Sequence, residues 1–170
     1  MLKLALFLGL SASLWSQPAD RWKDLRFLVG EWTGEGGGSS TGQGMGAYSF
    51  LPELGGKILV RRNTADYPAA NGNPAVHHED VMTVYLEAEG KVPEAIYFDS
   101  EGHVIHYSVE INPAGKSVTF VSPSQTGQPR YRLTYSDSGK GVVHGRFEIA
   151  PPGKPEAFTR YMEWSARRKE

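Results

Sequence analysis

The sequence RYRLTY, from Arg130 to Tyr135, alternates polar and apolar residues, and so does VVHGRFEI, from Val142 to Ile149. Successive side chains of a β-strand point to opposite faces, so a period of two predicts strands with one apolar and one polar face. The segment 158–166 continues the pattern, with Phe158, Met162 and Trp164 expected on the apolar face. The simplest interpretation places the apolar face inside the protein. The alternative places part of the polar row inside a wide barrel, where it would line a ligand cavity.

Ten segments in all are rich in β-branched and aromatic residues, as strands are. They are 31–36, 45–51, 57–63, 79–87, 94–99, 103–111, 117–121, 130–135, 142–149 and 158–166. Short glycine-containing turns separate most of them, such as Gly55-Gly56 and Ser138-Gly139. Links this short join antiparallel neighbours. Ten strands in sequence order would leave two long edges in an open sheet, so the sequence predicts an all-β, antiparallel up-and-down barrel.

A helical period occurs once, between Asp20 and Gly30, where Trp22, Leu25 and Leu28 are spaced for one face of a helix. Gly30 is a suitable stop. The pattern predicts a short N-terminal helix or turn that closes one end of the barrel.

The first residues predict export. Lys3 precedes the apolar run from Leu4 to Leu10, and the small residues Ser11, Ala12, Ser13 and Ser16 follow it, as in a signal peptide. We expect residues 1–16 to be removed, with Ser13 and Ala19 as alternative cleavage positions, and residues 17–170 to form a single barrel domain. The expected location is secreted or periplasmic. The alternative is a buried N-terminal strand or helix.

The composition excludes several functions. The chain has 18 Lys and Arg against 19 Asp and Glu, and no cysteine. This balance lacks the concentrated positive charge that nucleic-acid binding requires, and disulfides and thiolate chemistry are impossible. No second apolar run has the length of a membrane span, so we expect no membrane insertion of the mature chain. The oligomeric state is left open.

Three blocks of sequence resemble a known family: 27–36 (FLVGEWTGEG), 54–60 (LGGKILV) and 97–104 (YFDSEGHV). They are similar to the DUF1579-like family of uncharacterised calycin/lipocalin-like β-barrel proteins, and more distantly to nitrobindins. The resemblance implies a lipocalin-like barrel and carries no established activity. It also implies structural roles for Gly30 and Trp32, with Trp32 packed under a basic residue of the last strand, for which Arg160 is the matching position.

The five histidines, His77, His78, His103, His106 and His144, limit cofactor binding. Haem needs an axial ligand, and the last strand, where the nitrobindin resemblance would place it, has no histidine, which disfavours haem. Odd spacing sends His103 and His106 to opposite strand faces, and likewise His77 and His78. A cross-strand metal site of His78, His106 and His144 would depend on the fold, and we assign no metal ligands.

The leading functional hypothesis is a carrier or sensor that holds a small, largely hydrophobic molecule in the barrel. The expected ligand-binding residues are Arg61, His78, Tyr97, His106 and Tyr107. The alternatives are an enzyme with a His/carboxylate site in the same cavity, and an interaction module with a filled core. We assign no catalytic residues, because Asp99-Ser100-Glu101-Gly102 is explained as a hairpin turn. A cavity of about 300 Å³ or more would favour binding or catalysis.

Overall fold

A computed structural model describes residues 20–39, 42–70, 72, 74–87, 92–114 and 116–170, and for 35–39 and 42–43 it describes the backbone. The predicted signal peptide, residues 1–16, lies outside this part of the chain. Among the residues described, no helix is long and apolar enough to cross a bilayer.

The described residues form a closed antiparallel barrel, as the alternation and the short turns predicted. Its strands are β1 (Gly30–Ser39), β2 (Gly42–Gln43), β3 (Met45–Glu53), β4 (Ile58–Tyr67), β5 (Val76–Tyr85), β6 (Glu94–Asp99), β7 (Val104–Asn112), β8 (Ser117–Val121), β9 (Arg130–Gly139), β10 (Val142–Ala150) and β11 (Thr159–Arg168). Each strand from β3 onward pairs with the next in sequence, and β11 pairs back onto β1. β2 is a two-residue extension at the β1 hairpin, so ten strands form the wall.

The N-terminal segment closes one end of the barrel. It contains a single 3-10 turn, Lys23–Leu25, instead of a longer helix. Leu25 and Leu28 are fully buried there. The indole of Trp32 donates a hydrogen bond to the Leu28 carbonyl at 2.7 Å. This contact ties the plug to β1.

The barrel interior changes character from the plugged end to the other end. Inward-facing residues of β4 run from Leu59, which is fully buried, through Arg61 and Asn63 to Ala65. On β9 and β10 the inward row is apolar, as predicted, and Leu133, Tyr135 and Val143 are buried. The interior is therefore filled with apolar side chains near the plug and carries polar groups towards the open end.

The last strand departs from simple alternation. Phe147 of β10 pairs with Met162 and Glu148 pairs with Arg160, so Tyr161 is an extra, bulged residue. A bulge reverses the side-chain parity of the residues beyond it. Met162 and Trp164 line the interior as predicted. The prediction for Phe158 is wrong, because this ring lies outside, with the Arg132 guanidinium 4.2 Å from its centroid.

The basic residue over Trp32 is Arg168, and the prediction of Arg160 is wrong. Arg168 is the direct β11 partner of Trp32, and its guanidinium lies 4.4 Å from the indole ring. It also donates hydrogen bonds to the carbonyls of Val29 and Phe27. Arg160 lies beyond the bulge and pairs with Glu163 at 2.9 Å.

Gly30 makes room for this arrangement. Its φ of +133° is rarely open to other residues, and a Cβ at this position would collide with the Arg168 guanidinium. Its structural role therefore matches the one implied by the resemblance.

We expect Arg168→Met to lower the free energy of unfolding by about 1–3 kcal/mol, because it removes two charge-assisted hydrogen bonds and a cation–π contact. The measurement is urea unfolding followed by tryptophan fluorescence. The matched control is Arg160→Met, which breaks only an exposed ion pair and should change stability by less than about 0.5 kcal/mol. Equal effects of the two variants would contradict the assignment.

Candidate functional site

A cavity of about 490 Å³ occupies the part of the barrel away from the plug. Much of its wall is apolar and aromatic, and the residues that form this part include Ile105, Tyr107, Leu133, Phe147, Met162 and Trp164. Gly145 allows Trp164 to lie flat against β10, because a Cβ at residue 145 would overlap the indole ring. This volume is larger than the ~300 Å³ that would favour binding or catalysis.

One side of the cavity carries a buried ion pair. Arg61 of β4 contacts Asp80 of β5, and the two side chains are 6% and 3% exposed. Asn63 donates a second hydrogen bond to Asp80, at 2.8 Å. Burial lowers the pKa of Arg61, but the charge of Asp80, together with the nearby tyrosines Tyr135, Tyr97 and Tyr48, outweighs burial and raises the pKa above its ordinary value. The Arg61 guanidinium therefore stays charged and has a hydrogen-bonded partner, as a retained buried charge requires.

His78 extends this ion pair towards the cavity mouth. Its Nε2 lies 3.1 Å from Asp80 Oδ2, and its Nδ1 lies 2.9 Å from a carboxylate oxygen of Glu101. The hydrogen bond to Asp80 raises the pKa of His78 to about 9; burial opposes the shift, and Glu101 adds to it. At neutral pH His78 is therefore an imidazolium with both N–H groups donated to carboxylates.

The β6–β7 turn supplies Glu101 and is itself held by Asp99. The backbone N–H groups of Glu101 and His103 donate to Asp99 Oδ1 at 3.1 and 2.8 Å. Burial would raise the pKa of Asp99, but the hydrogen bonds from His103 lower it overall. The hairpin turn predicted from Asp99–Gly102 thus fixes the position of a side chain that reaches His78.

Four of the five expected binding residues lie on the cavity wall: Arg61, His78, Tyr97 and Tyr107. Their part in ligand binding stays a prediction. The Tyr97 hydroxyl lies 3.4 Å from His78 Nε2. Burial, together with the charge of Asp80, raises the pKa of Tyr97 above its usual range, so its side chain is a neutral phenol.

The prediction that His106 lines the cavity is wrong. His106 is exposed and pairs with Ile96 on the outer face, because neighbouring residues of a strand face opposite ways and Tyr107 is buried inside. His144 is also exposed, bonded to Ser165 at 2.8 Å. The structure therefore does not bring His78, His106 and His144 together.

The wall also contains Asp80, Asn63, Tyr48 and Trp164, which were not among the expected ligand-binding residues. A signal for two of them was present. His78 and Asp80 are two apart on one strand, as are Arg61 and Asn63 on another, so each pair shares a face. The register, which sets Asn63 directly opposite Asp80, was not readable from this spacing.

One group within the described part of the chain could hold a metal ion: Asp99, Glu101 and His103, whose ligand atoms lie within 4.8 Å of one another. His103 Nδ1 already contacts Asp99 at 2.8 Å, and Glu101 accepts from His78. These contacts explain the cluster as part of the hairpin.

A second groove of about 500 Å³ lies on the outer face of β8–β11. Its charges pair with one another: Arg132 bonds Glu148 at 2.7 and 2.9 Å, and Arg146 bonds Glu163 at 3.0 Å. The groove is polar and open, whereas the inner cavity combines apolar walls with a few polar groups, the usual composition of a small-molecule site.

The chain matches no protein-family model and no curated protein. Among solved structures, it is similar to the crystal structure of Rv2717c from M. tuberculosis. The match covers 88% of this chain and 97% of that chain, with a TM-score of 0.60 and 13% sequence identity. At that identity the likeness supports the barrel fold alone, and the family suggested by the sequence blocks stays a proposal.

The pKa of His78 can be tested directly. Its folded pKa of about 9 lies above the value of about 6.5 for an unfolded chain. Its contribution to stability is therefore fully present below about pH 6.5 and is lost as the pH rises through 9. We expect the imidazole NMR signals of His78 to titrate near pH 9.

The free energy of unfolding of the wild type should exceed that of His78→Gln below about pH 6.5, and this difference should shrink as the pH rises to 9. His106→Gln is the control, since His106 is exposed on the outer face of the barrel. A midpoint near 6.5 would show that the contacts with Asp80 and Glu101 do not form in solution.

Proposed function

We propose that this protein is an exported, lipocalin-like barrel that binds a small, largely hydrophobic molecule in its cavity, as a carrier or sensor. The observation that carries the proposal is the cavity of about 490 Å³, which has apolar walls on one side and the Arg61–Asp80–His78 network on the other. Sites for small molecules combine these two elements, because the apolar surface supplies affinity and a few polar groups fix orientation.

The polar network supports binding over the alternative of catalysis. A general base needs a free lone pair within reach of a substrate proton. Both nitrogens of His78 contact carboxylates, and the raised pKa keeps the ring protonated. Asp80 in turn accepts from Arg61, Asn63 and His78. The network is thus suited to holding a fixed arrangement of charges.

We further propose that the protein is exported and that it belongs to the DUF1579-like family. Both rest on sequence: the former on the segment 1–16, the latter on the blocks around Gly30, Leu54 and Tyr97. Neither depends on the identity of the ligand.

Expression of the full chain in a bacterial host with an intact secretory pathway tests export. We expect N-terminal sequencing of the protein from the periplasmic or culture fraction to start at Gln17, with Leu14 or Asp20 if the alternative sites are used. Replacing Leu6 and Leu8 with Arg should keep the precursor in the cytoplasm, because it interrupts the apolar run. If the wild-type chain stays in the cytoplasm with its N-terminal segment uncleaved, export is refuted.

Binding can be measured with N-phenylnaphthylamine, a neutral probe whose emission rises in apolar surroundings. Ala65 lines the cavity, so Ala65→Trp fills part of it and should weaken binding about tenfold or more. The matched control is Thr64→Trp, because Thr64 is the exposed neighbour on the same strand and its side chain points away from the cavity. We expect this variant to bind like the wild type.

Equal binding by the two tryptophan variants would place the probe outside the cavity, and no binding by the wild type would count against the proposal. Circular dichroism of both variants checks that the barrel is retained.

A further inference from the structure

The charged groups of the cavity wall indicate which ligands it accepts. Arg61 and His78 are the cations, and Asp80, Glu101 and Asp99 are the carboxylates. His103 is the remaining titratable histidine of the wall, and it is already paired with Asp99. The wall therefore carries no excess positive charge, although an arginine and a protonated histidine face the cavity.

A ligand carboxylate would gain little in this site. Its approach to Arg61 would bring it beside Asp80, which is already in contact with that guanidinium. Its approach to His78 would bring it between Asp80 and Glu101, each of which accepts from one imidazole nitrogen. The repulsion is strong at the buried Asp80 and weaker at the partly exposed Glu101.

At Asp80 and Asp99 a ligand cation would also gain little, because these two carboxylates already hold several donors, whereas Glu101 has His78 as its partner and is partly exposed. Asp80 accepts from three partners, and Asp99 accepts from the backbone and side chain of its own turn. A cation would have to break contacts that hold Arg61 and His78 in place.

Two hydrogen-bond donors of the same wall remain unused. The Tyr48 hydroxyl and Arg61 Nε are buried and have no hydrogen-bond partner among the described residues. Both residues line the cavity, but the two donor atoms are covered by protein, so a ligand atom reaches either donor only when the side chain turns towards the cavity. Nε of a guanidinium can only donate, and buried donors are rarely left unpaired. The two donors together call for an acceptor.

We propose that the cavity selects uncharged ligands that carry a carbonyl-type oxygen on an apolar or aromatic body. Tyr48 and Arg61 donate hydrogen bonds to that oxygen, and Asp80 and Glu101 repel anions. This inference rests on the proposed binding function and specifies its ligand class. Tyr48 and Arg61 determine the preference for an acceptor, while the two carboxylates determine the preference for a neutral molecule.

The test uses four probes that share a naphthalene ring substituted at the same carbon: acetylnaphthalene, its hydrocarbon isostere isopropenylnaphthalene, naphthoate and naphthylethylammonium. Each competes with N-phenylnaphthylamine for the wild-type protein at pH 7. We expect the ketone to bind about tenfold more tightly than the isostere, as one or two hydrogen bonds to buried donors would give, and both charged probes to bind most weakly.

Tyr48→Phe should remove much of the preference for the ketone over its isostere and leave the isostere's affinity unchanged. Tyr85→Phe is the control, because the Tyr85 hydroxyl lies outside the cavity, where it donates to Glu94 at 3.0 Å. That variant should keep the full preference. A ketone preference that survives in Tyr48→Phe would overturn the assignment of this donor.

Glu101→Gln tests the rejection of anions. Glu101 lies in an exposed turn, so the variant should fold, and the change leaves His78 with one uncompensated positive charge. We expect its affinity for naphthoate to rise about tenfold, with the affinity for the ketone nearly unchanged. Asp80→Asn is a second variant with the same expected direction, in which naphthoate should also raise the melting temperature.

The outcomes separate this inference from the proposed function. Tightest binding of naphthoate or of the ammonium probe by the wild type would overturn the inference, and so would equal affinity for the ketone and the isostere. In each of these cases the cavity still binds a small molecule, and the proposed function stands. If N-phenylnaphthylamine does not bind, or if Ala65→Trp leaves its binding unchanged, the proposed function itself fails. If it binds in the cavity and no naphthalene probe displaces it, the inference is overturned and the proposed function stands.

Discussion

The pairing of β1 with β11 is the contact on which the rest of the structure depends. Residues of these strands are about 130 positions apart in sequence, and Trp32 lies opposite Arg168. The pairing satisfies the hydrogen bonds of two edges and converts a long meander into a barrel. It also creates an inside, since every second residue of ten strands then faces a common enclosed space. The cavity and its polar wall exist only because this closure is made.

The salt bridge between Arg61 and Asp80 is buried inside the closed barrel, where charged groups are costly. Desolvation of two charges costs about as much as their attraction returns, so such a pair is a poor source of stability. An apolar pair at the same positions would continue the row of Leu59 and Met82 and would pack well. The polar residues begin where the filled core ends and the cavity starts. Their placement fits a contribution to the site better than a contribution to stability.

The sequence determined much of the fold because its strongest signals are local. Alternation and turn residues identified the strands, and for β6 and β8 the predicted bounds, 94–99 and 117–121, are those of the structure. Some errors concern the face on which a side chain lies, because one extra residue in a strand reverses the alternation beyond it. The bulge at Tyr161 moves Phe158 to the outer face and leaves Arg160 with Glu163, and nothing in the local spacing marks it. For His106 and Tyr107, alternation allows only one of them to face inwards, and the apolar row of Ile105, Tyr107 and Val109 indicates Tyr107. The expectation that both line the cavity was inconsistent with that pattern.

The candidate site was less predictable, because its residues come from separate parts of the chain. Arg61 and Asn63 lie on β4, His78 and Asp80 on β5, and Glu101 in the β6–β7 turn. The spacing of residues along one strand identifies which side chains share a face. Contacts across strands depend on the register, which closure and packing set together. Glu101 illustrates the limit. Its sequence context is fully explained by a hairpin turn, yet the same turn holds its carboxylate against His78. A local structural explanation for a residue therefore does not exclude a role in the cavity, and turn residues at the open end of a barrel should be weighed for both.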